Sequence, residues 1–443
     1  MDKKHVTLNI ERMSYSADAI AHLDDGRVCF CEGAVPQDVA EVEITRDTKK
    51  FCRGKVTKII EPSPQRVIPQ ANPVIVACGC PWAYIDYPSQ LIYKRQNVCD
   101  ALQRIGHMDP ERVDELVEPC FDLGNPWGYR NKIELDFQRS AAGRALLGMH
   151  EPLSSKILKV DTCELLDKRF QKLPKSVSGA LSYLSNSHGL DFERIGIRAS
   201  TRTNNVEISL WTSPGPFPRA QVAKVLQDAT KTTSIVRVLS KGPLKARKVV
   251  GVERLAGHGN WTELVAGNEM SFSAPSFFQV NTKGAEKLIE LVLEALDPQE
   301  DDIAMDLYSG AGTFTIPLAQ KVSFVEAVES YGPAVRDLRR NLQNAHLDNA
   351  EPTGGDAARE FPDFDADIIV VDPPRAGLAP EVIDLLSKQK ARAIAYVSCD
   401  PSTLARDLKL FEEKGVFIPE KITPVDLFPQ TYHVECVTKL IRK

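Results

Sequence analysis

The sequence has no apolar run long enough to cross a membrane and no apolar segment near its beginning. Nowhere does it approach the roughly 18 consecutive apolar residues that a membrane helix needs, and residues 1–5 are too polar for the centre of a signal peptide. We therefore expect no membrane association and a cytoplasmic location.

The cysteine content argues against a secreted disulfide-rich protein, and the net charge argues against a protein with a uniformly basic surface. Ten irregularly spaced cysteines in 443 residues do not suit a secreted disulfide scaffold, which leaves reduced thiols, a metal site or catalysis. The net charge of −5 excludes a uniformly basic surface, although nucleic-acid binding depends on local patches. The run at residues 241–248 is one basic patch, but such a run is more often a solvated face.

Three patterns follow one another along the chain, whose length and 43% hydrophobic content allow two or three domains. Residues 1–62 contain short β-rich runs separated by turn residues, which is typical of a small β-barrel. Residues 63–270 follow a proline-rich boundary and mix helical with strand-like segments, which predicts an α+β middle domain. Residues 271–443 alternate strands with helices, which predicts a Rossmann-like α/β domain with a parallel sheet.

A glycine-containing loop follows the first strand of this α/β region. The strand ends at Asp306, and Gly310 and Gly312 let the backbone turn tightly and approach a ligand closely. A dinucleotide-binding loop has a third glycine near the start of the next helix, where this chain has Thr315. The loop therefore favours an adenosine ligand without phosphates, such as S-adenosylmethionine.

Acidic residues stand at the ends of the following strands. Glu329 ends the second strand, where a carboxylate can accept hydrogen bonds from two ribose hydroxyls. Asp356 follows the third strand, at a position suited to an adenine amino group, and Asp372 ends the fourth. A glycine loop alone is often an ordinary turn, but this ordered set of acids is hard to obtain by accident.

Cys399 follows the apolar run 394–397 and should emerge at the carboxyl edge of the sheet, where open α/β sheets bind their ligands. Asp400 and Pro401 are typical of an N-cap and the first turn of a helix. Because a helix N-terminus carries partial positive charge, we expect the thiol pKa to fall from about 8.5 toward neutrality, with Asp400 partly opposing the shift. The alternative is a buried structural cysteine, the commoner fate of a free cysteine.

The C-terminal third contains five ordered motifs, at residues 277–281, 306–314, 372–377, 398–401 and 426–435. Together they resemble the motifs of the RNA uracil-5 methyltransferases. The similarity extends more weakly upstream, through residues 129–132 and an N-terminal segment that resembles a TRAM domain, an RNA-binding barrel of the OB type. Residues 14–18 depart from the TRAM pattern because they lack its usual glycines.

The resemblance implies methylation of uridine C5 in RNA, with Cys399 as the nucleophile that adds to C6 of the base and Glu435 as the general base. The TRAM-like segment favours 23S ribosomal RNA as the substrate, with transfer RNA as the alternative. We also expect a monomer. The residues that the resemblance places around S-adenosylmethionine are Gln279, Tyr308, Thr313, Glu329, Asp356 and Asp372.

Relatives in this family often bind a [4Fe-4S] cluster through three closely spaced cysteines and a fourth further on. Here Cys78, Cys80 and Cys163 match three of those positions, but Ala77 stands where another cysteine is expected. Since cluster ligation normally takes four thiolates, the resemblance implies an incomplete cluster, a borrowed ligand or no cluster.

Two other functions fit parts of the sequence. An amino-group methyltransferase uses an Asp-Pro-Pro-aromatic motif and needs no thiol, but Arg375 follows the prolines here. A non-catalytic RNA-binding or assembly protein could keep the fold without the chemistry, and the presence of both Cys399 and Glu435 disfavours it.

Overall fold

A computed structural model describes residues 4–139, 145–152, 154–242 and 248–443. Of the basic patch at 241–248, residues 243–247 lie outside the described residues. No helix in the described ranges combines the length and the apolar character that a membrane crossing requires.

The N-terminal region folds into a six-stranded sheet with the order β1-β5-β6-β4-β3-β2. Its strands alternate between inward and outward side chains, so Cys29 and Cys31 are fully buried while Phe30 between them faces outward. Gly54 is required in β6, because a Cβ there would lie 2.3 Å from a methyl group of Val42. The strands are β1 (His5–Asn9), β2 (Arg12–Met13), β3 (Ala19–His22), β4 (Val28–Glu32), β5 (Val39–Asp47) and β6 (Phe51–Glu61).

The middle region contains a seven-stranded sheet with the order β13-β12-β11-β10-β7-β8-β9, followed by the separate hairpin β14-β15. Its helices are α1 (Pro73–Gly79), α2 (Tyr87–Arg104), α3 (Pro110–Leu116), α4 (Leu173–His188) and α5 (Arg219–Thr230). Its strands are β7 (Lys132–Arg139), β8 (Ala145–His150), β9 (Ile157–Lys159), β10 (Arg194–Ala199), β11 (Val206–Thr212), β12 (Ser234–Lys241), β13 (Lys248–Gly257), β14 (Trp261–Val265) and β15 (Asn268–Phe272).

The C-terminal region confirms the predicted α/β class: six strands that run in the same direction and one antiparallel strand, β22, form a sheet of order β18-β17-β16-β19-β20-β22-β21. The strands are β16 (Ile303–Leu307), β17 (Phe324–Glu329), β18 (Ala350–Gly354), β19 (Ile368–Val371), β20 (Ala393–Ser398), β21 (Phe417–Val425) and β22 (Glu435–Arg442). The helices are α6 (Thr282–Leu296), α7 (Thr315–Ala319), α8 (Gly332–Asn344), α9 (Pro380–Lys388) and α10 (Pro401–Lys414).

The order of the strands reverses between β16 and β19, since the chain first builds outward through β17 and β18 and then returns to the other side of β16. Ligands of open α/β sheets bind at the carboxyl ends of the strands beside such a switch point. The ends of β16, β17, β19 and β20 therefore define where a cofactor and a substrate should meet.

Hydrophobic packing joins the C-terminal sheet to segments from earlier in the chain. Val98 and Leu102 of α2 are fully buried in one cluster with Leu404 and Leu408 of α10. Trp261 of β14 belongs to the core on the other face of the sheet. The boundaries at 62/63 and 270/271 stay predictions, and these contacts show that the core of the C-terminal region recruits residues from before position 271.

Candidate active site

The loop after β16 has the backbone that its glycines predict. Gly310 and Gly312 have φ values of 59° and 98°, which favour glycine, and a Cβ on Gly312 would lie 2.6 Å from a methyl group of Leu338. The Gly310 amide donates to Glu329 Oε2 at 2.9 Å, and Glu329 Oε1 accepts from the Tyr331 amide at 2.6 Å. The carboxylate at the end of β17 thus fixes the loop after β16.

Asp306 is buried beneath that loop. Its Oδ2 accepts a hydrogen bond from Thr315 Oγ at 2.6 Å, so Thr315, which replaces the third glycine, is tied to the end of β16. Asp306 Oδ1 has no partner among the described residues. Burial, and then Glu329, raise the pKa of Asp306 to about 7.

Asp372 lies close enough to share this electrostatic environment. It is half-buried at the end of β19, and burial, followed by the charges of Asp306 and Glu329, raises its pKa to about 7. A cluster of carboxyl groups that repel one another in this way suits a cationic ligand, which lowers the pKa of nearby acids. The sulfonium of S-adenosylmethionine is such a cation.

The remaining predicted cofactor residues differ in their surroundings. Gln279 is buried, and its Oε1 has no partner within the described part of the chain. Tyr308 is half-buried with a φ of 66°, and burial, with Asp356 next in effect, raises its pKa to about 12. Thr313 is half-buried, whereas Asp356 is exposed and accepts a hydrogen bond from the Ala358 amide at 3.1 Å.

Cys399 lies immediately after β20 and before α10. The predicted N-cap is confirmed, because Asp400 accepts hydrogen bonds from the Ser402 and Thr403 amides at 2.8 and 3.3 Å. The expected fall of the thiol pKa toward neutrality is wrong. Burial, Glu435, Asp372 and Asp400 raise the pKa of Cys399 to about 12, with Arg375 opposing them.

Glu435 begins β22, the antiparallel neighbour of β20. Ser398 pairs with Cys436 in that ladder, so Cys399 and Glu435 are the next residues along the two strands and stand at the same edge of the sheet. Glu435 is buried, and its Oε2 has no hydrogen-bond partner in the described structure. Burial, and then Asp372, raise its pKa well above the usual value, against the charge of Arg375.

Arg375 is a site residue that the sequence interpretation passed over. Its positive charge lowers the pKa of both Cys399 and Glu435, although the side chain is exposed. Its position three residues after Asp372 was the signal available, since the loop after a strand end faces the ligand.

The three candidate metal ligands do not form one site. Cys80 and Cys163 are buried in the same core, and burial raises their pKa values to about 12 and 11. Cys78 is half-buried, and its charged neighbour is Glu151. Side chains two residues apart on a helix, as Cys78 and Cys80 are at the end of α1, do not face each other. The described ranges contain no group of three metal-binding side chains, so these residues do not fit a four-thiolate cluster.

Comparison with known proteins extends over the whole chain. A family model for tRNA (uracil-5-)-methyltransferases matches residues 260–353 and 357–443, and a TRAM domain model matches residues 3–57. Uncharacterized RNA methyltransferases from Gloeobacter violaceus and Thermosynechococcus vestitus are 34% and 32% identical, over 99% and 98% of this chain and 96% and 97% of their own lengths.

A solved structure also matches almost the entire chain. The tRNA (uracil-54, C5)-methyltransferase of Pyrococcus abyssi, in complex with S-adenosyl-L-homocysteine, is 26% identical with a TM-score of 0.75, and the match covers 98% of this chain and 100% of that one. The fold, the family models and the relatives agree. The chain belongs to the family of S-adenosylmethionine-dependent RNA uracil-5 methyltransferases.

Proposed function

We propose that this chain methylates C5 of a uridine in RNA through a covalent bond between Cys399 Sγ and C6 of the base. The observation that carries the proposal is the register of β20 and β22, which sets the thiol of Cys399 beside the buried carboxyl group of Glu435. Both groups stand at the sheet edge that carries Asp372, next to the loop that Glu329 fixes.

The chemistry requires a nucleophile and then a base. C5 of uracil is a poor carbon nucleophile until the Cys399 thiolate adds to C6 and turns the ring into an enolate. When bound, S-adenosylmethionine supplies an electrophilic methyl group and leaves as S-adenosylhomocysteine. Glu435 then accepts the C5 proton, the C5=C6 double bond re-forms, and the Cys399 thiolate leaves C6.

The raised pKa of the Cys399 thiol gives a physical reason why cofactor binding should precede activation of the nucleophile. With the protein's own groups around it, Cys399 is a thiol at neutral pH, because burial and the nearby acids disfavour a further negative charge. Asp306 and Asp372 would hold the cationic part of S-adenosylmethionine, and its positive charge would offset those acids and lower the pKa of the thiol. We therefore infer that the nucleophile is activated only when the site is filled.

The N-terminal sheet offers a surface suited to RNA. Arg53 lies over the ring of Phe30 at 5.2 Å, and Arg46 lies over the ring of Phe51 at 5.6 Å. The two rings are 6.0 Å apart and partly exposed, and both arginines are exposed. Such aromatic and basic side chains can stack on unpaired bases and bind phosphates, which supports RNA binding by this sheet.

Covalent capture tests the proposed reaction. RNA that contains 5-fluorouridine should form an adduct with the wild-type protein and S-adenosylmethionine that survives denaturation, because the fluorine at C5 blocks the final proton removal. The variant Cys399→Ala should form none, whereas the matched control Cys78→Ala should react like wild type. The thiol mechanism would be refuted if the wild-type protein methylates an RNA but forms no adduct with the same RNA containing 5-fluorouridine.

The class of RNA is a finer part of the proposal. We propose 23S ribosomal RNA, because the chain begins with a TRAM domain. Transfer RNA is a second candidate, because the similar Pyrococcus abyssi protein acts on transfer RNA and matches this chain over nearly its full length. Mapping 5-methyluridine in ribosomal and transfer RNA from cells with and without the gene distinguishes them.

A non-catalytic RNA-binding or assembly role is the contrasting function. Tritium release from C5-labelled uridine in cellular RNA, given S-adenosylmethionine, separates the two. Release supports the enzyme, since proton loss from C5 accompanies methylation, and no release from any RNA pool favours the binding role.

A further inference from the structure

A loop of the N-terminal sheet reaches the turn that carries Cys399. The hydroxyl of Tyr15 donates a hydrogen bond to the Cys399 carbonyl at 3.2 Å. The ring of Tyr15 also meets the ring of Tyr432 edge to face, with 5.6 Å between centroids. Tyr432 lies three residues before Glu435, so a single side chain touches the segments that carry the proposed nucleophile and the proposed base.

The backbone on both sides of Tyr15 is anchored by the middle region. Asn97 on α2 donates to the Ser14 carbonyl at 3.4 Å, and the indole N–H of Trp82 donates to the Ser16 carbonyl at 3.0 Å. Both of these anchoring side chains are buried. Because its neighbours are held in this way, Tyr15 meets the Cys399 turn from a fixed base.

The Cys399 turn is short, and its own contacts are local. Ser398 Oγ accepts from the Asp400 amide at 3.3 Å and Asp400 caps α10. These bonds set the turn relative to its own helix. The bond from Tyr15 is of another kind, since it ties the peptide group of Cys399 to a separate sheet and so fixes the direction in which that residue faces.

The hydroxyl of Tyr15 stays protonated over the working range of an enzyme. Burial, and then the nearby Asp400, Cys436, Cys399 and Glu435, raise its pKa far above the usual value. The group is therefore a permanent hydrogen-bond donor here. It does not compete with Glu435 as a base.

We propose that Tyr15 is a positioning residue, which holds the peptide of Cys399 and the segment before Glu435 in the geometry required for attack on C6. The proposal rests on the proposed function of that site. It assigns to the TRAM region a part in the chemistry besides RNA binding. The same loop ends at Asp18, which pairs with Arg53 at 2.6 Å, so the loop connects the RNA-binding surface described above with the thiol.

The test compares Tyr15→Phe with wild type, and uses Tyr183→Phe as a matched control on the exposed face of α4. The rate constant of adduct formation with 5-fluorouridine RNA is measured at saturating RNA, together with the RNA concentration for half-saturation and the melting temperature. Tyr15→Phe should lower the rate constant by about 10-fold and leave the other two quantities unchanged. An unchanged rate constant, or a loss that only follows weaker RNA binding or a lower melting temperature, overturns the proposal.

Hydrogen–deuterium exchange in the protein without RNA or cofactor separates this proposal from the proposed function. Amides in the peptide that spans Cys399 to Thr403 should exchange faster in Tyr15→Phe than in wild type and in Tyr183→Phe. If wild-type protein forms no adduct, the proposed function fails while the exchange difference still reports the contact. Equal exchange in all three proteins overturns the positioning role.

Discussion

Lys94 on α2 and Asp426, nine residues before Glu435, form an ion pair in which both side chains are fully buried. Lys94 Nζ also donates to the Phe428 carbonyl at 3.0 Å. One turn away on the same helix, Gln90 and Gln430 exchange two hydrogen bonds of 2.9 Å. Helix α2 therefore holds the segment that leads to the proposed base.

Removing one partner of this ion pair should destabilise the protein strongly. Lys94→Met leaves Asp426 buried without its cation, which typically costs about 3–5 kcal/mol of unfolding free energy. Urea unfolding followed by tryptophan fluorescence measures the loss. The control Lys421→Met breaks pairs with the partly exposed Glu118 and Glu294 and should cost less than about 1 kcal/mol. Equal losses in the two variants would contradict the importance of the buried pair.

Replacing the proposed base should stop the reaction after methyl transfer. Glu435→Gln keeps the size of the side chain but cannot accept the C5 proton, so the methylated adduct with ordinary uridine RNA should accumulate while turnover falls by about 100-fold or more. Denaturing gels and mass spectrometry of the adduct measure both effects. Glu420→Gln, on the exposed side of β21 beside Lys439, is the control. Free turnover by Glu435→Gln removes that residue from the base role.

The reactivity of the thiol should rise steeply with pH in the unliganded protein. Because the pKa of Cys399 is about 12, its thiolate fraction, and its rate of alkylation by iodoacetamide, should rise about tenfold per pH unit between pH 7 and pH 10. Mass spectrometry of the Cys399 peptide follows the rate. A plateau above pH 8 would show a pKa near neutrality and contradict this expectation.

Two substitutions should shift the pH dependence of Cys399 alkylation in opposite directions. Asp400→Asn removes a charge that raises the thiol pKa and keeps an N-cap side chain, so alkylation at pH 8 should become faster. Arg375→Met removes the charge that lowers the thiol pKa, so alkylation should become slower. Shifts in the same direction for both variants would show that charge does not control the thiol.

Replacement of Glu329 should weaken cofactor binding more than replacement of Glu326 on the same strand. Glu329→Gln weakens the bonds that fix the Gly310 amide and removes a carboxylate from the pocket, so the affinity for S-adenosylhomocysteine should fall by about 10-fold. Glu326→Gln, which loses only a charged bond to Thr353, is the control. Calorimetric titration measures both, and equal affinities would place Glu329 outside the cofactor site.

The separation of the three candidate metal ligands also gives a prediction. We expect anaerobically purified protein to contain no stoichiometric iron and to lack broad visible absorbance, because the described residues contain no group of three side chains that could hold a metal ion. Iron analysis and absorption spectra test this. About four irons per chain, lost in Cys80→Ser, would show that the cluster forms after all.

Local sequence patterns were sufficient for the parts of the fold that depend on neighbouring residues. The alternation of strands and helices after residue 271 predicted the parallel sheet, and Gly310 and Gly312 predicted the tight loop. Asp400 and Pro401 predicted the start of α10. The alternation of side chains along a strand, a positive φ and an N-cap each depend on a few adjacent residues, and so they can be predicted from the sequence.

The sequence by itself determined the class of fold, the family motifs and the identity of the candidate catalytic pair. Only the tertiary structure decided that Tyr15 touches the Cys399 turn, that Lys94 holds Asp426, and that the thiol pKa is raised and not lowered. The physical reason is distance along the chain. Desolvation and unpaired buried charge depend on which remote segments pack together, and residues that are hundreds of positions apart leave no local pattern that reveals their contact.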